Sequence, residues 1–343
     1  MCASNAAVLK ACNVPGPVSY YGKMQVVGNR IYGSHNHAPV QVKGISFYWS
    51  IWKGEEFYNA GAVDALVDGW KAEIIRIPMS VETDEKRQGG NYGYLNPEGR
   101  ERQIALVERL VDAAIARDIY VIIDYHSHNA HLHTQNAKEF FGYMAKKYGG
   151  YDNVIFEIYN EPITPDWQTI KKYAVAVIDT IRVYSDNLVI VGTENYSQRV
   201  DIASLSPLED SNVAYVFHFY ATHEDQERDY VTKALNNNVA LFASEWGNAY
   251  VAGEKNGKTD VKAFENSDKW HVLLDSNMIS SANWSIYSRD IAPSNAELSL
   301  FGPATGTVSR TGKGWSDTTN MTASGLYVYK MLKRHASNAL WRK

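Results

Sequence analysis

Eight short apolar runs, most of them closing on polar or aromatic residues, constrain this 343-residue chain more than any other feature. They are Val42 to Tyr48, Glu73 to Met79, Tyr120 to His126, Val154 to Asn160, Leu188 to Gly192, Val213 to Tyr220, Ala240 to Trp246 and Ile279 to Ser285. Near-continuous apolar strands of this length suit a parallel sheet covered on both faces. Helical patterns fill the gaps. Asn96-Pro97-Glu98 supplies a cap, a first-turn Pro and an acid, and Ile104, Val107, Leu110, Val111 and Ala114 follow at helical spacing. Thr164-Pro165-Asp166 opens another helix, with Ile170, Tyr173, Ala174, Val177, Ile178 and Ile181 on one face. A third, near Asp229 to Leu235, runs into Asn-Asn-Asn, a left-handed stop. Eight strands alternating with helices predict an α/β fold, the (β/α)8 TIM barrel.

Residues 20–43 read as a β-hairpin broken at Gly-Asn, which would cap the bottom of the barrel. The expected organisation is a leader over residues 1–19 and a single catalytic domain over 20–343. The polar stretch 286–320 is long enough to be a functional loop.

Composition narrows the partners. Lys plus Arg number 34 against 38 Asp plus Glu, a net charge of −4, so the basic face that nucleic acid requires is not expected. No apolar run reaches the length of a membrane-spanning helix. The two cysteines, Cys2 and Cys12, form no cluster with histidine, so neither a metal site nor a cofactor is expected. The first residues are expected to be a plain unstructured leader; beside that, Met1-Cys2 fits a start codon placed before a lipoprotein's mature Cys, and Cys2 with Cys12 fits a disulfide in an oxidising compartment. Either cysteine reading points to a secreted or cell-surface protein; a monomer is expected. Nine Trp, 23 Tyr and 10 Phe suit a protein that stacks flat rings such as sugars.

Active-site groups of a TIM barrel stand at the C-terminal ends of its strands. There the sequence carries Arg76, His126, Asn160-Glu161, His218 with Tyr220, Glu245-Trp246 and Asn283-Trp284. Strands four and seven face each other, so Glu161 and Glu245 can straddle a glycosidic bond. One would protonate the leaving oxygen while the other attacks or activates water. A carboxylate there can also cap a helix, but Pro162 and Gly247 come next, in tight turns that let a substrate approach.

The set Arg76, His126, NEP at 160–162, HFY at 218–220, EWG at 245–247 and Trp284 resembles glycoside hydrolase family 5, and within it the bacterial-type endo-β-1,4-glucanases. The likeness runs from about Tyr20 to Leu332 and includes FYWS after strand one, AKKYGGYDNVIFEIYNEP, ANWS and the late GWSD and TASG segments. The resemblance implies that Glu161 is the acid/base and Glu245 the nucleophile of a retaining reaction. It implies that Arg76 and Tyr220 orient the nucleophile and that Asn160 binds the sugar 2-hydroxyl. His126 and His218 would line the sugar site, Trp284 would floor it, and Trp49 would form a glycone platform. The implied partners are β-1,4-glucan and cello-oligosaccharides, with no metal or cofactor.

Three departures bear on substrate choice. Arg289 stands where relatives often carry a Lys to a distal sugar, Asn248 and Ala249 come after EWG, and DYHSH replaces DWHDH. They leave β-mannan and mixed-linkage glucan open beside cellulose. Trp49, Trp246 and Trp284 are expected to touch ligand, and Trp70 and Trp167 to pack. His35, His37, His131, His133 and His223 are expected in solvated loops, and Glu224 to Asp229 as a solvated helix start.

Overall fold

The computed structural model describes residues 15–84, 92–250, 259–288, 298–302 and 308–342. Cys2, Cys12 and Arg289 lie outside the described residues. A two-stranded antiparallel sheet, β1 (Met24–Val27) and β2 (Arg30–Gly33), precedes the barrel. Eight parallel strands then close on themselves: β3 (Lys43–Phe47), β4 (Ile74–Ser80), β5 (Tyr120–His126), β6 (Val154–Glu157), β7 (Val189–Gly192), β8 (Val213–Phe219), β9 (Leu241–Trp246) and β10 (Ser281–Ile286). β10 pairs with β3, so the expected TIM barrel is present.

The helices begin where their caps dictate. Asn96 accepts from the Glu98 amide ahead of the helix Pro97–Ala116, and Asp166 from the Thr169 amide ahead of Trp167–Arg182. The latter buries Ile170, Tyr173, Ala174, Val177, Ile178 and Ile181, the face its periodicity marks out. Each Ile or Val among them stabilises by ~1.5–3 kcal/mol relative to exposure. The run from Glu224 forms a capping box with Glu227 and opens the helix Asp225–Asn236.

The hairpin seats at the N-terminal end of the barrel. Gly28 has the positive φ of 63° that a two-residue turn needs. Tyr120 donates from its hydroxyl to the Gly22 carbonyl at 2.6 Å, and Asn212 clasps the β1 backbone at Met24 and Val26. The expected extension through residues 38–43 is only an isolated bridge, Tyr32 to Pro39, because Pro39 has no amide hydrogen to continue a ladder. A short helix, Pro17–Tyr21, spans the expected boundary at 19/20. In the stretch 286–320 the described parts pack. Trp315 is buried against Phe301 at 4.9 Å, and its carbonyl accepts from the Trp70 indole.

Strand alternation separates two interiors. Outward residues such as Ile75, Val121, Phe156 and Phe217 meet the helices. Inward residues Ile74, Tyr120, Ile122, Ile155, Ile190, Val216 and Phe242 fill the lower barrel against Val18, Tyr21, Met24 and Ile31. One break in alternation decides the site. Val216 and His218 on β8 face Phe242 and Glu245 on β9, and Ser281 and Asn283 on β10 face Ala243 and Trp246. β9 therefore carries an extra residue against both neighbours, a bulge that re-aims the side chains at its C-terminal end.

Candidate active site

Arg76, wholly buried on β4, organises the upper barrel. Its Nη1 donates to Glu245 Oε2 at 2.8 Å, and its Nε and Nη2 donate to Glu157 at 2.7 and 3.1 Å. Nη2 also meets Asn160 Oδ1 at 2.6 Å and Asp124 Oδ2 at 3.0 Å. Burial alone would lower the guanidinium pKa, but Asp124, Glu157 and Glu245 outweigh it and hold the charge firmly.

Tyr220 donates its hydroxyl to the other Glu245 oxygen, Oε1, at 2.5 Å. Both oxygens of Glu245 thus accept hydrogen bonds, and the carboxylate is fixed in place. Gly247 makes this possible: a Cβ there would lie 2.7 Å from two ring carbons of Tyr220. Glu161 stands just beyond β6, more open than Glu245, with Oε1 2.9 Å from His218 Nδ1 and Oε2 3.7 Å from His128 Nδ1. One oxygen from each of Glu161 and Glu245 and a His218 nitrogen all lie within 4.8 Å of one another. Among the described residues this is the one grouping able to close round a metal ion, yet Arg76 and Tyr220 already occupy both Glu245 oxygens.

Three aromatic side chains converge at this end of the barrel. His126 stacks parallel to Trp284 at 5.3 Å and stands edge-on to Trp49 at 4.1 Å. Its Nδ1 lies 2.6 Å from Asp124 Oδ2. Burial first, then the charge of Arg76, depresses the His126 pKa well below normal, so the ring is neutral. Burial also pushes the Asp124 carboxyl well above its usual range despite Arg76, and Asp124 Oδ1 has no partner among the described residues.

Trp246 is a correction. Its place at a strand end predicts a cleft residue, but it is fully buried, 5.8 Å from Phe219 and 4.5 Å from His271. The β9 bulge turns Glu245 inward and sends Trp246 outward among the helices. His223 is another: its Nδ1 accepts from the Tyr220 amide, and it packs against that ring. Likewise His131 bonds the buried Tyr159 hydroxyl at 2.7 Å.

Sequence reasoning gave no role to Asp124, Glu157, Ser244, His128 or Tyr196. Glu157 left a signal, a lone charge inside the apolar run Val154 to Tyr159. Such a charge is buried only if paired. Tyr196 left none. Asn195, Tyr196 and Ser197 are all left-handed (φ 54°, 60° and 56°), and the Tyr196 amide donates to the Pro162 carbonyl at 3.0 Å. That holds an exposed ring 6.3 Å from His128. Strain of this kind clusters at functional sites. A 590 Å³ cavity lined by Pro17, Asp68, Arg117 and Trp341 lies at the opposite end of the barrel, away from these groups.

Residues 34–290 match the model of the cellulase family, glycosyl hydrolase family 5. The chain belongs to that family. It is 42% identical over 296 residues to Endoglucanase Z of Dickeya dadantii, covering 84% of this chain and 64% of that relative, less than two thirds of its length. A solved structure from Cytophaga hutchinsonii superposes with a TM-score of 0.82 at 37% identity, covering 94% of this chain and 98% of that one. The catalytic domain of Thermobifida fusca endoglucanase Cel5A, solved in complex with cellotetraose, gives 0.78 at 31% identity, covering 93% and 99%. The family 5 barrel thus carries its strand-end residues in one connected network.

Proposed function

We propose that the chain is an endo-acting, retaining β-1,4-glucanase that cleaves internal bonds of cellulose and related glucans by double displacement. The observation that carries this reading is the separation of the two carboxylates. Oxygens of Glu161 and Glu245 lie within 4.8 Å. Retaining enzymes hold their carboxyl groups about 5–5.5 Å apart, and inverting enzymes about 6.5–9.5 Å apart.

In this reading a glucose unit lies over Trp284, with Glu245 aimed at its anomeric carbon. Glu245 attacks that carbon while Glu161 gives its proton to the departing oxygen. Forming the glycosyl ester neutralises Glu245, and Glu161 then takes a proton from the incoming water. Asn160 Oδ1 is engaged by Arg76, which leaves the amide hydrogens for the sugar 2-hydroxyl. Trp49, edge-on to His126, extends the aromatic surface towards the glycone end. A polymer is met outside the cell, which supports the secreted or cell-surface reading.

The experiment is hydrolysis of soluble cellulose, mixed-linkage glucan, mannan and xylan, with the first-formed anomer tracked by proton NMR. Fastest cleavage of β-1,4-glucan with the β-anomer released first is expected. An initial α-anomer would overturn the retaining reading, and faster cleavage of mannan would overturn the substrate.

A further inference from the structure

The bulge in β9 turns two consecutive residues inward, Glu245 and the residue before it. Ser244 is fully buried, and its hydroxyl lies 2.6 Å from Glu157 Oε1 and 3.1 Å from His218 Nε2. The other ring nitrogen of His218, Nδ1, is 2.9 Å from Glu161 Oε1. Ser244 thus links the proposed acid/base, through one imidazole, to the buried carboxylate that braces Arg76.

We propose that Ser244 is a positioning residue that fixes the tautomer of His218, so that Nδ1 is the nitrogen that titrates, against Glu161. The proposal rests on the reading of Glu161 as acid/base. A hydroxyl has one proton to give and lone pairs to accept with. Glu157 receives Arg76 on both oxygens. Burial pushes the Glu157 pKa up, but the guanidinium and its hydrogen bonds bring it below the usual range, so it only accepts. The Ser244 proton therefore goes to Glu157, and its oxygen accepts from His218 Nε2–H. With Nε2 protonated in both states, only Nδ1 can gain or lose a proton.

The groups facing His218 set when that happens. Glu245, Glu157 and Glu161 favour the charged ring, while Arg76, His126 and His223 nearby carry or compete for positive charge. Burial opposes the charge, the three carboxylates outweigh burial, and the pKa is pushed up to about 9. Below that, Nδ1–H donates to Glu161 Oε1 and supports the carboxylate left when Glu161 gives up its proton. Above it, Nδ1 is bare and has no hydrogen to give Glu161 Oε1, so the carboxylate formed as the leaving oxygen is protonated loses that support.

Ser244→Ala removes the acceptor for Nε2–H and destabilises the charged ring. The basic limb of the kcat/KM profile on cello-oligosaccharides should move to lower pH by about one unit, the scale of one hydrogen bond to a charged group. A basic limb that stays put while activity falls evenly at all pH would overturn the proposal. A second measurement uses the wild-type chain. In ¹⁵N NMR, with the His218 signals identified by their loss in His218→Asn, the neutral ring should carry its proton on Nε2. A neutral ring protonated on Nδ1 would overturn it. If the wild type cleaves no β-glucan, the functional reading fails, and the NMR tautomer still decides the role of Ser244.

Discussion

The upper and lower halves of the barrel interior are built by the same strands two residues apart, and their chemistry is opposite. On β4, Ile74 gives way to Arg76; on β5, Ile122 to Asp124; on β6, Ile155 to Glu157; on β8, Val216 to His218; on β9, Phe242 to Ser244. Both layers are buried. The lower one gains from burial, as apolar surface leaves water. The upper one loses hydration, which its pairing to Arg76 only partly recovers. Filling the upper layer with Ile and Val would give the fold an equally good or better core. Carboxylates, a guanidinium and an imidazole held there without bulk water point to chemistry rather than stability. The hairpin reinforces the contrast by closing the lower layer, while the strand ends leave Glu161 open.

The sharpest way to break this comparison is Glu245→Ala. It should lower kcat by at least ~10⁴-fold, as loss of a covalent nucleophile does. Azide should restore turnover with an inverted product. Wild-type kcat in this variant would show that the upper layer is not the reacting layer.

Next comes a matched pair of substitutions, one in each layer. Glu157→Gln, which takes a charge from the Arg76 network, should cost about 3–5 kcal/mol of stability together with most of the activity. Ile122→Ala, one strand away in the lower layer, should cost about 2–5 kcal/mol through the cavity it leaves, with kcat changed only a few-fold. Urea unfolding and steady-state kinetics on both variants read out the split. Equal losses of kcat would mean that the two layers are not separable.

The smallest effect lies outside both layers. Trp49→Ala should reduce kcat/KM on long cello-oligosaccharides about 10-fold, or ~1.4 kcal/mol, since binding energy from a remote sugar can lower the reacting barrier. The loss should shrink on substrates too short to reach that ring. Equal losses on short and long substrates would mean that Trp49 does not bind a distal sugar.

The same division separates residues legible in the sequence from those that only the fold reveals. Strand and helix order, the caps at Asn96 and Asp166, and the facing pair Glu161 and Glu245 are local patterns or depend on strand count alone. Arg76, Tyr220, His126 and Trp284 stand out as strand-end residues, with their roles implied by motif likeness, and the geometry brings them to one end of the barrel. Trp246 could not be read, because a one-residue bulge in β9 inverts the alternation that would have aimed it inward. Ser244 keeps the inward register of Phe242, but its partners Glu157 and His218 lie on other strands and nothing local marks them. Glu157 was visible as an isolated charge in an apolar strand, but its partner Arg76 is 81 residues away, and only barrel closure brings them together. Tyr196 depends on a left-handed turn at residues with no glycine to announce it.

The central claim is that Glu245 supplies the oxygen that bonds to the sugar. A 2-deoxy-2-fluoro cello-oligosaccharide with an activated leaving group should trap the glycosyl-enzyme, because fluorine slows both oxocarbenium-like steps and the activated leaving group speeds only the first. Peptide mass spectrometry of the trapped chain should find the label on Glu245 alone. A label on Glu161 or Glu157, or a substrate turned over with no covalent adduct and with inverted product, would contradict it.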